Sequence, residues 1–266
     1  MKFTILGSSG FIGSHLVKYF SDVGIPYYAP LRNDPSIFEG NLGHLIYCIG
    51  LTADFRKKPF ETVKAHVCYL LDILENAKFD SFLYLSSTRI YLGAETANEY
   101  TSLRVNPINK DDLYNSSKIM GESVCFSSNR PNVRVIRLSN VYGSDRRSTN
   151  FLTSIIQEAI INKKVLLRSS LQSAKDYVNI DDVVALIPKI AMESRYDIYN
   201  VASGTNVSNQ TLLSGLQELT GCAVEVLPDA ETITFPEIAI SRIRDEFNFH
   251  PVSLLDRLEN LVALYK

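Results

Sequence analysis

The chain has 266 residues, 45% hydrophobic and 21% charged, with a net charge of −2. Its length allows one large or two small domains with a sizeable core, and its composition excludes a disordered or collagen-like chain. The near balance of 27 basic and 29 acidic residues provides no field of one sign for nucleic acid or an anionic membrane.

The first half alternates short β-rich runs with helical patterns. Residues 2–6 read as a strand and residues 11–22 as a helix, with Ile12, Leu16, Tyr19 and Phe20 on one stripe. A second strand is predicted over residues 26–31 and a third, continuously apolar, over residues 44–49. One long helix is predicted over residues 59–76, its stripe being Val63, Val67, Leu70, Leu71 and Leu74. Residues 81–86 form the next strand, 111–127 a helix and 133–138 another strand. Alternating βα units with apolar strands predict an α/β fold, a doubly wound parallel sheet covered on both faces.

The second half is less regular. Asn150 is placed to cap a helix over residues 151–161. Residues 165–168 and 198–201 read as strands, and residues 207–220 as an amphipathic helix that stops at Gly221. Gly, Ser, Asp and Arg collect at residues 140–147, the expected domain boundary. We therefore expect a dinucleotide-binding domain over residues 1–140. Residues 141–266 should be mostly a small substrate-binding lobe, with segments near 176–203 returning to the first domain.

The longest apolar runs, such as Leu45-Ile46-Tyr47-Cys48-Ile49-Gly50-Leu51, are far shorter than the roughly 20 residues of a membrane-spanning helix. The N-terminal apolar stretch breaks at Gly7-Ser8-Ser9-Gly10, too early for the apolar core of an export signal. Cys48, Cys68, Cys125 and Cys222 lie far apart, without a CxxC pair or a Cys/His cluster. Reduced thiols, no metal site and a cytoplasmic location are expected.

Gly7, Gly10 and Gly13 fall in the turn between the first strand and the first helix, with Phe11 and Ile12 opening that helix. Such a turn brings backbone close to a phosphate, and the helix N-terminus beyond it offers free N–H groups to a pyrophosphate. A ligand-free tight turn would have the same spacing. The second strand should end near the adenosine ribose, where an acidic residue would bind the 2′-hydroxyl of NAD. This chain has Arg32 there, suited to the 2′-phosphate of NADP, although Asp34 is near enough to serve a ribose.

Tyr114 and Lys118 are four residues apart on a predicted helix, hence on one face. An ammonium near a phenol favours the phenolate, which can then exchange a proton near neutral pH. The lysine can also hydrogen-bond the nicotinamide ribose. Ser86, Ser87 and Thr88 stand at the carboxyl end of a strand, where an α/β sheet places its chemistry. A hydroxyl there can bind a substrate oxygen beside the tyrosine.

These features, in this order, resemble the extended short-chain dehydrogenase/reductases, which include nucleotide-sugar epimerases, dehydratases and 4-ketoreductases. The stretch from Leu83 to Tyr91 is similar to the family's Ser-Ser-x-x-Val-Tyr-Gly strand end, and Arg137 to Gly143 to its Arg-x-x-Asn-Val-Tyr-Gly stretch. Lys175 to Val183 resembles an Arg-Asp-Phe-x-x-Val-x-Asp-Val segment, and Ile198 to Gly204 a late strand and turn. The resemblance implies a Rossmann-like fold with a small C-terminal substrate lobe, a nucleotide-sugar substrate and a homodimer formed by the helices at 59–76 and 111–127. It implies Ser87, Tyr114 and Lys118 as the catalytic triad, with Thr88 second to Ser87 as the substrate-binding hydroxyl. Gly7, Gly10 and Gly13 would hold the pyrophosphate and Ile49 and Gly50 would line the cofactor, while Asn140 and Lys175 would approach the substrate diphosphate.

The departures narrow the reading. Thr88 and Arg89 follow Ser87 where the family's 4,6-dehydratases carry an acidic pair, so the acid for water elimination is missing. Few residues separate Arg32 from His44, too few to match the strand and Asp that bind adenine in the family. His66 replaces an Asn, Lys175 an Arg, and Leu92 the Gly after Tyr91. The leading expectation is an NADP(H)-dependent 4-ketoreductase of deoxysugar biosynthesis. An NAD-dependent 4-epimerase is the second, and a non-catalytic cofactor-binding regulator the third.

Overall fold

The computed structural model describes residues 2–52, 54–144 and 150–265. Six parallel strands form the main sheet: β1 (Phe3–Leu6), β2 (Tyr27–Tyr28), β3 (His44–Tyr47), β4 (Ser81–Ser87), β5 (Val133–Leu138) and β9 (Ile198–Val201). Their order across the sheet is β2-β1-β3-β4-β5-β9. This is a Rossmann-like α/β arrangement, with the chain winding outward from β1 to both edges.

Strand alternation builds two cores. Phe3, Ile5, Ile46, Leu83, Leu85, Ile136 and Leu138 point to one face. There they meet Leu16 and Phe20 of α1 (Phe11–Val23) and Val183, Ile187 and Ile190 of α6 (Ile180–Glu193). Leu6, Leu45, Tyr47, Phe82, Tyr84, Val133 and Val135 point to the other. That face is covered by the helices α2 (Pro59–Val63), α3 (Tyr69–Asn76) and α4 (Asp112–Ser127). The two-residue period sends successive side chains to opposite faces.

A third core lies in the C-terminal half. It joins α5 (Phe151–Ile161), α7 (Asn209–Thr220) and α9 (Leu254–Tyr265) through Leu152, Ile155, Ile156, Leu212, Leu216, Leu258 and Val262. The short strands β6 (Asn140–Tyr142), β8 (Ala174–Asn179) and β10 (Asn206–Ser208) pair as β10-β8-β6, and β7 (Lys164–Leu167) pairs in parallel with β11 (Ala223–Val226). The short helix α8 (Ser241–Phe247) packs on β9. Asn150 accepts from the Thr153 N–H at 2.8 Å and caps α5 as expected.

Three expectations need correction. The strand predicted over residues 26–31 pairs only at Tyr27 and Tyr28, because Pro26 and Pro30 lack the N–H a ladder requires. The predicted helix over residues 59–76 is interrupted by a π turn, Lys64–Cys68. The extra residue turns later side chains by about 100°, so Leu71 is exposed while Ile73 is buried. The helix predicted from residue 207 begins at Asn209, with Asn206–Ser208 spent on a strand. The expected boundary at 140–147 begins as the strand Asn140–Tyr142, and its residues 145–147 lie outside the described residues. Between β2 and β3 lies only a 3-10 turn, Pro35–Phe38, so β2 is the sheet edge.

Candidate active site

The carboxyl ends of β1, β3 and β4 and one face of α4 converge on a single region. At the end of β1 the Gly10 N–H donates to the Gly7 carbonyl at 3.0 Å, closing the turn. Gly7 takes a φ of +82°, and a Cβ on Gly13 would stand 2.2 Å from the Gly7 carbonyl oxygen. Only glycine fits at 13 without pushing the helix off the strand. Gly10 is the N-cap of α1 and offers no side chain to its first N–H groups. Phe11 and Ile12 follow, both half-buried. This cradle fits a dinucleotide pyrophosphate.

Ile49 and Gly50 extend the cleft past the end of β3. A Cβ on Gly50 would lie 3.2 Å from His66 Nε2 and 3.5 Å from Lys118 Nζ, so the backbone runs close to both. In the segment after β2, Arg32 is exposed. Asp34, the alternative ribose partner, is engaged within the chain. Its carboxylate accepts from the Tyr28 hydroxyl at 2.9 Å and from the Ser36 N–H at 3.0 Å.

Tyr114 is buried in α4, walled by Phe55 with ring centroids 5.5 Å apart and by His66 at 5.4 Å. Burial pushes its phenol above the usual range, while hydrogen bonding from Ser87 and the Arg89 charge pull it back. Ser87 ends β4, and its Oγ accepts from the Arg89 N–H at 3.2 Å. Thr88 beside it is buried. Lys118 is also buried, and burial lowers its ammonium to about 8 against the opposing pull of Glu122. Its Nζ donates to the Leu85 carbonyl at 2.8 Å and stands 4.9 Å from the centroid of Tyr84. Both members of the pair expected from spacing are thus buried on α4. The cation found over the Tyr114 ring, however, is Arg89, at 5.6 Å.

His66 sits in the π turn, a feature frequent at functional sites. Two tyrosines satisfy carbonyls of that turn: Tyr47 donates to Ala65 at 2.6 Å and Tyr84 to His66 at 3.3 Å. A Cβ on Gly121 would lie 2.4 Å from the Tyr84 hydroxyl, which is why α4 carries glycine at this crossing. His66 Nε2 accepts from the Leu51 N–H at 3.1 Å, so the ring proton is assigned to Nδ1, 2.8 Å from Ser117 Oγ. Ser117 in turn donates to the Tyr114 carbonyl at 2.9 Å. This chain ties the cleft floor to the helix turn that carries Tyr114, a role that no sequence motif marked.

Burial and the Lys118 charge depress His66 to about 2. A histidine neutral in the fold and titrating near 6.5 when unfolded contributes stability that is full above pH 6.5 and is lost as pH falls toward its folded value. Unfolding free energy should therefore drop by about 1.4 kcal/mol per pH unit below 6.5 from this group alone. Urea unfolding at pH 7 and pH 5 should show this slope, and His66→Asn should flatten it by about one proton's worth.

Within the family-like stretches, Arg137, Tyr91, Asn200 and Asp176 are spent on buried structural contacts. Arg137 makes a bidentate pair with Glu122, at 3.0 Å from Nε and 2.7 Å from Nη2. Its Nη1 donates to the Tyr91 hydroxyl at 2.6 Å, which donates to Asn200 Oδ1 at 2.8 Å. Asp176 accepts from the Ser203, Gly204 and Thr205 N–H groups at 2.9, 2.7 and 3.1 Å. Asn140 is exposed on β6 and donates to the Asp176 carbonyl at 2.8 Å. Lys175 is half-buried with its Nζ 4.7 Å from the Phe151 ring, and burial lowers its ammonium. Among the described residues no His/Cys/Asp/Glu cluster has metal-ligand geometry, and no helix is long and apolar enough to cross a membrane.

Residues 41–202 match the NAD dependent epimerase/dehydratase family. The chain belongs to that family. Among family relatives, dTDP-D-glucose 4,6-dehydratase of Dictyostelium discoideum is 24% identical over 258 residues, covering 78% of this chain and 59% of the relative. GDP-6-deoxy-D-mannose reductase of Pseudomonas aeruginosa is 24% identical over 252 residues, covering 85% of this chain and 82% of the relative. The structure of RMD from Pseudomonas aeruginosa complexed with NADPH superposes with a TM-score of 0.83 at 20% identity, covering 99% of this chain and 98% of that one. The chain spans less than two thirds of the length of the Dictyostelium dehydratase.

Proposed function

We propose that this family member is an NADP(H)-dependent reductase of a nucleotide-linked 4-keto sugar. The observation that carries the reading is Arg89, a cation directly after Ser87 and Thr88, where water elimination would need an acid. The acids on the adjoining turn of α4 are already engaged. Asp111 pairs with Arg56, and Asp112 accepts from Asn115 Nδ2 and the Asn106 N–H. Tyr114 and Lys118 are both present, which disfavours a regulator without turnover.

The bound nicotinamide would supply the hydride. Gly7, Gly10, Phe11, Ile12 and Gly13 would hold the pyrophosphate, Ile49 and Gly50 the adjoining wall, and Arg32 the 2′-phosphate. With Asp34 occupied, Arg32 is the group open to that end of the cofactor. Ser87 would bind the keto oxygen and Tyr114 would give it a proton as negative charge develops. Lys118 would hold the nicotinamide ribose and support the phenolate by its charge. Asn140 and Lys175 would meet the substrate diphosphate.

Two copies would associate through the faces of α3 and α4 that expose Leu71, Met120 and Phe126. The four unpaired cysteines agree with a reducing, cytoplasmic setting.

The test is loss of reduced-nicotinamide absorbance when the protein meets NADPH and a nucleotide-linked 4-keto-6-deoxy sugar. Oxidation, slower with NADH and brought closer to the NADH rate by Arg32→Ala, is the expected result. No oxidation, with oxidised cofactor released on denaturation, would replace the reductase by the epimerase.

A further inference from the structure

Arg89 has a second property that the missing acid does not explain. Its Nη1 donates to the Asp111 carbonyl at 3.2 Å and to Asn115 Oδ1 at 2.9 Å. Both anchors are uncharged. The nearby Asp111 carboxylate is taken by Arg56, at 2.5 Å from Nε and 2.9 Å from Nη2. Among the described residues Arg89 forms no ion pair. Its guanidinium carbon nevertheless lies against a pair of touching rings, 5.4 Å from the centroid of Phe55 and 5.6 Å from that of Tyr114, which are themselves 5.5 Å apart.

A carboxylate in contact with Arg89 would cancel its field at the ring. Uncharged anchors avoid that contact and leave Asp111 and Asp112 to oppose Arg89 only through space, and partial burial weakens solvent screening. A guanidinium over an aromatic face is attracted by the ring's quadrupole. The attraction grows when the ring carries a full negative charge, so the contact favours phenolate over phenol. Arginine also keeps its charge at every pH the protein meets. Lys118 does not: it points at the Leu85 carbonyl, with Glu122 one turn away and its ammonium lowered to about 8.

The other groups packed on the Tyr114 ring are neutral. Ser87 and Phe55 are neutral, and His66 is uncharged. Tyr84, packed behind the helix, is kept un-ionised by burial. Asp112, on the same helix, is hydrogen-bonded to Asn115 and Asn106. Lys175 approaches Arg89 from β8 with the same sign.

We propose that Arg89 supplies the larger share of the positive charge that stabilises the ionised form of Tyr114, acting through the ring face, while Lys118 serves chiefly the cofactor side of the cleft and adds the smaller share. The inference rests on Tyr114 as the proton-transfer group, but its test needs neither substrate nor turnover. Fluorotyrosine placed at position 114 titrates where the protein is folded and is read by 19F NMR. Arg89→Met keeps the apolar stem against Phe55 and removes the charge, and it should raise the titration midpoint by about one pH unit or more. Arg89→Lys should bring it part of the way back. Lys118→Met should move it less than Arg89→Met does. A midpoint unchanged in Arg89→Met, or moved more by Lys118→Met, overturns the proposal. A reductase assay that fails while the midpoint still moves overturns only the substrate reading.

Discussion

Tyr114→Phe should lower kcat/KM for reduction of the keto sugar by about 10²- to 10⁴-fold, the range associated with loss of a general acid. The substitution removes one hydroxyl and leaves the ring between Phe55 and His66. The fold and the glycine cradle, built on β1 and α1, should therefore be unaffected. The fall should appear in kcat, with cofactor affinity measured by fluorescence titration unchanged. A loss expressed only in KM would remove Tyr114 from proton transfer. Ser87 lies on the other side of the reacting oxygen in this scheme, and its loss should act on the same step.

Arg137→Met should cost about 3–5 kcal/mol of unfolding free energy, because it strands the Glu122 carboxylate in the interior. Both side chains are only 5% exposed. Glu122 also accepts from Ser86 Oγ at 2.5 Å, one residue before Ser87. The network therefore couples β4, α4, β5 and β9 directly beneath the site. For a protein of ordinary stability that loss is a large share of the total. Urea denaturation should show it as a lower midpoint with an unchanged slope. The double variant Glu122→Gln with Arg137→Met should lose less than the sum of the single variants, since the stranded charge is then gone. An additive double variant would mean that the pair is not coupled.

The same network explains why Tyr91, Arg137 and Asn200 occur in stretches that resemble the family. Their hydrogen bonds join strand ends that are distant in the chain, with Tyr91 and Asn200 separated by 109 positions. Asp176 serves similarly, holding the turn at Ser203, Gly204 and Thr205. A motif match locates such residues without distinguishing a group that meets a ligand from one that fixes the frame. The side-chain partner makes that distinction.

The sequence by itself determined the parallel α/β sheet, the glycine turn and the helix bearing Tyr114 and Lys118. Each of these is a local property: an apolar period, a glycine spacing, an i, i+4 pair. It also determined that a cation follows Ser87 and Thr88. Only the tertiary structure decided the π turn and the burial of His66, because a bulge changes the helical phase without any breaker residue to announce it. It likewise shortened the second strand to Tyr27 and Tyr28, where edge position and flanking prolines outweighed β propensity. And it assigned the cation over Tyr114 to Arg89, since Lys118 is drawn to the Leu85 carbonyl and the Tyr84 ring. Spacing along a helix says which side chains share a face. Which of them touch depends on the acceptors and rings that other segments bring to that face.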